Sequence, residues 1–311
     1  MRQVVRWLPN LLMAVLAAAL GVLGAYWQAW QEQSDRAHIL AGVVLERAEQ
    51  TSDQMTEAFE KMARFGPDEA CSRESITAMR RIDLGSSLLQ GVGFARDNRL
   101  VCSSLDESSN HDLGVPDVVT SYGNEIRTHS TLPMAPETPI LTLTSAKGYT
   151  AFIHPALIFV VSDEGDNFPA GVVNVSELVP LVSSAPFDVD WPSLGIGQAN
   201  SQGIVTINDH ILAYERSAAR DIMGYATVPV TEVWNRFEWL ARPYALAGLI
   251  AGFLMAYLAH RLAVSRASLP TLLRAGIARG EIFVMYQPIV DLESGRWVGA
   301  EALARWQRRS G

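Results

Sequence analysis

The chain has 311 residues, with 25 Lys and Arg against 33 Asp and Glu, for a formal net charge of -8. That balance, without any Lys/Arg-rich run, excludes a nucleic-acid-binding surface, which needs a basic field. The length suits about two domains, and a hydrophobic share of 49% points to membrane content. Six histidines (His38, His111, His129, His154, His210 and His260) are scattered with no pair at metal-ligand spacing. No Gly-rich phosphate loop, Ser-His-Asp arrangement or Cys-x-x-Cys pair is present.

Residues 1–6 carry Arg2 and Arg6, and no charge follows from Trp7 to Gln31. The run from Leu11 to Leu20 with its flanks approaches the ~20 residues that span a bilayer. Trp7 at one end and Tyr26, Trp27 and Trp30 at the other match an aromatic belt. The first span is therefore set at residues 7–29, as an uncleaved anchor: a cleaved signal peptide would show an Ala-x-Ala site before the aromatics. Residues 32–66 read as an amphipathic helix on the mixed three- and four-residue spacing of Ile39, Val43, Ala48, Met55, Ala58, Phe59 and Met62, ended by Gly66-Pro67. A second helix is expected from Cys71 to about Asp83.

From Leu88 to Val230 the chain is rich in strand signals. Gly91–Ala95, the turn Asp97-Asn98 and Leu100–Cys102 read as a hairpin, and Ser103–Pro116 as a polar loop. Further strands are expected at Ile140–Leu143, Tyr149–Ile153, Leu157–Val161, Gly171–Val175, Leu194–Gln198, Gly203–Ile207, Ile211–Tyr214 and Gly224–Val228, with a short helix at Ser176–Leu181. His111 and His129 fall in polar loops and read as solvated. A long helix followed by antiparallel strands suggests an α+β domain with helices on one sheet face. In outline it resembles the PAS-like sensor domains of bacterial receptors.

Thr231–Leu240 reads as a short helix entering a second apolar span at residues 242–260, with Trp234, Trp239 and Tyr244 at its outer edge. Arg261, Arg266, Arg274 and Arg279 follow. Arginines thus lie before the first span and after the second, which places both termini in the cytoplasm and residues 30–241 outside. Residues 261–279 form a cytoplasmic connector, expected to be a helix broken or kinked at Pro270. Both spans carry small residues four apart, Ala17, Gly21 and Ala25 in the first and Gly248, Gly252 and Ala256 in the second. That spacing permits close helix crossings, within the chain or in a dimer.

Cys71 and Cys102 both fall in the exported region, where two cysteines tend to pair. A bridge closing such a loop stabilises by roughly 3–4 kcal/mol in the chain-entropy model. By itself it reads as a staple holding the helices to the sheet.

The last stretch, residues 280–311, contains Gly280-Glu281-Ile282-Phe283, then Tyr286-Gln287-Pro288-Ile289-Val290-Asp291, the turn Ser294-Gly295, and Gly299-Ala300-Glu301-Ala302-Leu303-Ala304-Arg305-Trp306. Gln287–Asp291 and Trp297–Leu303 read as strands. Glu301 would be buried among Val298, Ala300, Ala302 and Leu303, which is costly unless a cation or donors meet it. In order and spacing these pieces resemble the opening of the EAL-domain family, phosphodiesterases that linearise cyclic di-GMP. Cys102-Ser103-Ser104 in turn resembles the CSS-motif sensor domains, which sit between two membrane helices ahead of an EAL domain.

These resemblances imply an inner-membrane cyclic di-GMP phosphodiesterase with a periplasmic disulfide sensor, and the first strands of a TIM-like (β/α)8 barrel at the end of the chain. They imply Glu301 as a ligand of Mg2+ or Mn2+, Gln287, Leu303 and Arg305 as residues of the dinucleotide groove, and a Cys71–Cys102 bridge whose redox state adjusts output, the free-thiol form being the more active. A periplasmic thiol-oxidising system, membrane lipid and a second copy of the chain are the implied partners. The sequence departs from the family at Ala304, where Leu is usual, and at Gln307-Arg308-Arg309. A complete barrel takes about 250 residues, so the 311 residues by themselves are expected to hydrolyse nothing. The rival readings are a receptor that binds cyclic di-GMP without cleaving it, and a periplasmic redox sensor acting through protein partners.

Overall fold

The computed structural model describes residues 2–120, 122–133, 135–159, 168–194, 202–265 and 269–307. It divides into two compact units, Ala25–Leu240 and the combination of Met1–Gly24 with Ala241–Gly311.

The Ala25–Leu240 unit is organised along α1 (Arg2–Met62). Its buried positions run Ala37, Ala41, Val44, Ala48, Thr51, Met55, Ala58 and Met62, alternating four and three residues apart, the spacing that keeps one helix face inward. Ser72 caps α2 (Arg73–Gly85), its side chain accepting the Ser75 N–H. Two antiparallel sheets pack on α1. The first has the order β3-β2-β1-β7-β6-β5-β4, from β1 (Gly91–Arg96), β2 (Arg99–Ser103), β3 (His111–Asp112), β4 (Val118–Val119), β5 (Glu125–Leu132), β6 (Ala135–Thr144) and β7 (Tyr149–Ile153). The second has the order β10-β11-β12-β8-β9, from β8 (Ala170–Asn174), β9 (Pro180–Ser183), β10 (Gln202–Ile207), β11 (His210–Arg216) and β12 (Ile222–Pro229).

The core follows from this layering. Val44, Met55 and Met62 of α1 and Met79 of α2 join Val92, Ile153, Val172 and Leu181 from both sheets in one cluster. Nearer the start of the unit α1 turns small, and Ala29, Ala37 and Ala41 pack on Ile211, Ala226 and Val228. The approach is close enough that a Cβ on Gly224 would lie 2.6 Å from the Ala41 carbonyl oxygen. The outer face of the second sheet is covered in turn by Trp191, which packs with Leu212, Tyr214 and Tyr225.

Several expectations change. The domain has two sheets rather than one face with helices against it. The Asp97-Asn98 turn does form, with φ of 51° and 62°, the left-handed pair that a two-residue hairpin requires. Leu157–Val161 is not a strand over its described part: Pro155–Leu157 is a 3-10 turn, because Pro155 has no N–H for a ladder and the His154 ring accepts the Ala156 N–H. Ser176–Leu181 is not a helix. Asn174 Oδ1 takes the Glu177 N–H at 2.9 Å and Leu178 has φ 54°, so the chain turns and enters β9. At Leu194–Gln198, Trp191–Leu194 is a 3-10 turn and residues 195–198 lie outside the described residues. The polar loop after Ser103 contains β3, and there His111 Nε2 lies 2.7 Å from the Thr131 carbonyl oxygen, so this histidine is held by backbone rather than by solvent.

Helix α3 (Val230–Ser265), which begins in the Ala25–Leu240 unit and continues into the other, is one helix through Pro243 rather than a short helix followed by a span. Two helices, within Leu11–Met62 and Val230–Leu262, are long and apolar enough to cross a membrane. They meet where the small residues lie. A Cβ on Gly248 would stand 2.5 Å from the Ala17 carbonyl oxygen, one on Gly252 would stand 2.6 Å from Ala14 Cα, and one on Gly21 would stand 2.5 Å from the Tyr244 carbonyl oxygen. The connector is described as two helices, α3 ending at Ser265 and α4 (Leu269–Ala278) beginning one residue before Pro270. Pro270 lies in the first turn of α4, where its missing N–H has no helical partner to lose; residues 266–268 and Arg308–Gly311 lie outside the described residues.

Candidate functional site

The strands β13 (Ile282–Val290) and β14 (Trp297–Trp306) pair antiparallel across the turn at Ser294-Gly295. Asp291 shapes the turn by accepting the Ser294 N–H at 2.7 Å and its hydroxyl at 2.8 Å, and these hold the Asp291 carboxyl below its ordinary range. The pair expected to open a (β/α)8 barrel is therefore a hairpin. Parallel barrel strands need a crossover of a dozen residues or more, and this connection is a tight turn.

Register decides what the hairpin presents. Gln287 stands opposite Glu301, Met285 opposite Leu303, and Phe283 opposite Arg305. Side chains alternate along a strand, so Gln287, Glu301, Leu303 and Arg305 share one face, and residues directly opposite have Cβ atoms about 4.5–5.5 Å apart. The face offers a carboxylate beside an amide, then an apolar pair, then a guanidinium beside an aromatic ring.

The expected burial of Glu301 does not occur. Glu301, Gln287 and Arg305 are exposed and Leu303 is half-buried, because a two-stranded hairpin has no second layer to cover its faces. A buried carboxylate does occur at the hairpin's base: Glu281 receives Arg279 Nε at 2.7 Å and Trp306 Nε1 at 3.3 Å. Gly276 of α4 lies against that indole, where a Cβ would stand 2.8 Å from Nε1. These contacts fix the connector helix to the end of β14.

Among the described residues no group of three or more His, Cys, Asp or Glu side chains stands close enough to hold a metal ion. Glu301 and the Gln287 amide oxygen are hard donors of the kind Mg2+ prefers, but this ion takes an octahedral set. One carboxylate and one amide do not make that set on their own.

The second candidate site is the bridge between Cys71 and Cys102, with Cα atoms 5.8 Å apart and a sequence separation of 31. Cys102 lies on β2 and is fully buried, while Cys71 is half-buried one residue before the α2 cap. The bond thus fastens the start of α2 to the first sheet from inside the core. It is not the exposed kind that reduces most readily. Sequence reasoning did not single out Arg127, the buried cation of this sheet, since nothing in Glu125-Ile126-Arg127-Thr128 distinguishes a core arginine from a solvated one.

Comparisons with known proteins divide along the same lines. Residues 33–180 match the family described as "CSS motif domain associated with EAL", and residues 271–311 match the EAL domain. The "Probable cyclic di-GMP phosphodiesterase PdeB" of Escherichia coli (strain K12) is 25% identical over 321 aligned positions, covering 97% of this chain and 58% of that protein. The chain thus spans little more than half the length of this relative. An uncharacterized protein of Mycobacterium tuberculosis (strain ATCC 25618 / H37Rv) is 49% identical over 43 residues, 14% of each chain. Among solved structures, the sensory domain of the Campylobacter jejuni chemoreceptor Tlp3 aligns at a TM-score of 0.42 and 9% identity, covering 69% of this chain and 99% of that one.

Proposed function

We propose that this chain, which joins a CSS-motif domain to an EAL segment, belongs to a membrane-bound phosphodiesterase that hydrolyses cyclic di-GMP to the linear dinucleotide. The observation that carries the reading is the shared face of β13 and β14, where the four residues of an EAL opening come together in register. The divisions implied are an N-terminal cytoplasmic end at 1–6, spans at 7–29 and 242–260, a periplasmic sensor at 30–241, a connector at 261–279 and the opening of the catalytic domain at 280–311.

Each residue has a task set by its chemistry. Arg305 presents paired N–H donors that match a phosphodiester. The Gln287 amide can both donate to and accept from the dinucleotide, and Leu303 gives it an apolar contact. Glu301 would offer one carboxylate oxygen to a divalent ion, which when bound would supply water activation and charge stabilisation at the phosphodiester. In a protein carrying the complete domain, Glu301→Gln is expected to abolish Mg2+- or Mn2+-dependent cleavage while cyclic di-GMP still binds, and Arg305→Ala to weaken binding itself. Retention of full cleavage by Glu301→Gln sinks the reading. Binding without cleavage by the unaltered protein establishes the receptor alternative.

The sensor half follows from the disulfide. Pairing of Cys71 with Cys102 suits an oxidising compartment and supports the periplasmic placement of residues 30–241, with the two spans in the inner membrane. Reduction releases the start of α2 from β2, and this release is the structural change through which redox state adjusts output. Thiol trapping in intact cells, with and without the periplasmic oxidising system, tests it: equal output from the bridged and free-thiol forms leaves the bond a staple only.

A further inference from the structure

A cleft of about 420 Å3 opens within the Ala25–Leu240 unit between α1 and the two sheets. That volume lies in the range of small-molecule sites, roughly 300–1,000 Å3. Its floor is aliphatic, with Met55 of α1, Ile153 of β7, Val172 of β8 and Leu181 of β9. Its mouth is polar, and there Arg220 and Asp221 stand beside Asn174. The charges at the mouth do not cancel each other. Arg220 is paired with Asp53 on α1. Asp221 has only neutral partners, its Oδ2 accepting from Asn174 Nδ2 and from the Ser176 N–H, each at 3.3 Å. It forms no ion pair among the described residues. A half-buried carboxylate is thus left without a cation at the rim of an apolar cleft.

We propose that this cleft binds a small organic cation, a primary ammonium head on an apolar body. The head would sit on Asp221, whose charge no side chain among the described residues balances, and the body would cover the aliphatic floor, where its burial supplies the larger part of the affinity. A zwitterion fits less well, because the guanidinium that would meet its carboxylate is already held by Asp53.

The test is titration calorimetry on the full chain in detergent, with 2-phenylethylamine as the probe and 2-phenylethanol and phenylalanine as comparators. Saturable amine binding is expected, with the neutral alcohol bound about tenfold or more weakly, as loss of a charged hydrogen bond implies. Asp221→Asn should erase that difference, and Ala219→Trp, placed on the exposed rim, should block all three compounds. The proposal is overturned by no saturable binding of the amine, by an alcohol that binds as tightly, by phenylalanine binding more tightly than the amine, or by amine affinity unchanged in Asp221→Asn. The amine–alcohol comparison uses the unaltered chain, so it decides even if a variant fails to fold.

Discussion

Arg127 shows what one residue can hold together. Its side chain is 2% exposed, and it donates from Nε to the Gly114 carbonyl at 2.7 Å, from Nη1 to Thr144 Oγ1 at 3.2 Å, and from Nη2 to Asn98 Oδ1 at 2.5 Å and Glu125 Oε2 at 2.6 Å. Four separate segments of the first sheet meet on one guanidinium. Arg127→Ala is expected to destabilise the fold by about 3 kcal/mol, because it leaves buried acceptors unmet, and Arg127→Lys is not expected to restore it, lacking the planar fork; urea midpoints measure both. Nearby, the Thr128 N–H at 2.7 Å and hydroxyl at 2.8 Å hold the Asp117 carboxyl below its usual range. The folded value lies below the unfolded one. Its contribution is therefore complete above about pH 4 and lost as pH falls through the folded value. Asp117→Asn is expected to lower the urea midpoint at neutral pH, by an amount that shrinks progressively as pH falls below about 4; a loss that stays constant as pH falls sinks the assignment.

At the scale of elements, the four-and-three spacing of α1 was readable because a helix with one buried face needs it. Strand β5 was not readable. Its sequence, Glu125 to Leu132, contains five polar or charged residues in its first six, and the inward Arg127 and Ser130 find most of their partners on segments distant in sequence, Thr142 and Thr144 of β6 among them. The glycines of α3 belong to the contact with α1. Backbone atoms there approach closer than a Cβ allows, so Gly248→Ile is expected to cost about 1–3 kcal/mol, the usual range for overpacking, and to lower the melting temperature in detergent. An unchanged melt, together with unchanged oligomeric state and output, rejects this packing. Gly252→Ile should behave alike, since its Cβ meets Ala14 at a similar distance.

At the scale of the whole molecule, α1 and α3 each contribute to both compact units, which is how a domain between two spans must be connected. The orientation proposed for it rests on the arginines before the first span and after the second. Alkaline-phosphatase fusions within residues 30–241 are expected to be active, and fusions after Arg279 inactive; the reverse pattern rejects the topology. The 311 residues alone are expected to show no metal-dependent hydrolysis of cyclic di-GMP, since the β13–β14 face that carries Glu301 presents no second carboxylate among the described residues. Measurable cleavage by this chain would overturn that.

The sequence by itself determined the two apolar spans, the long helix face, the tight turn at Asp97-Asn98 and the ordered EAL and CSS pieces. Each of these depends on neighbours along the chain, through hydrophobic period, left-handed turn residues or motif spacing. Tertiary structure alone decided that the strands form two sheets and that β13 and β14 present Gln287, Glu301, Leu303 and Arg305 together on an uncovered face. Packing across the fold likewise buried Arg127 and left Asp221 without an ion pair among the described residues at the mouth of a cleft. These outcomes depend on which strands meet and what covers them, and such long-range pairings leave no periodic trace in the local sequence.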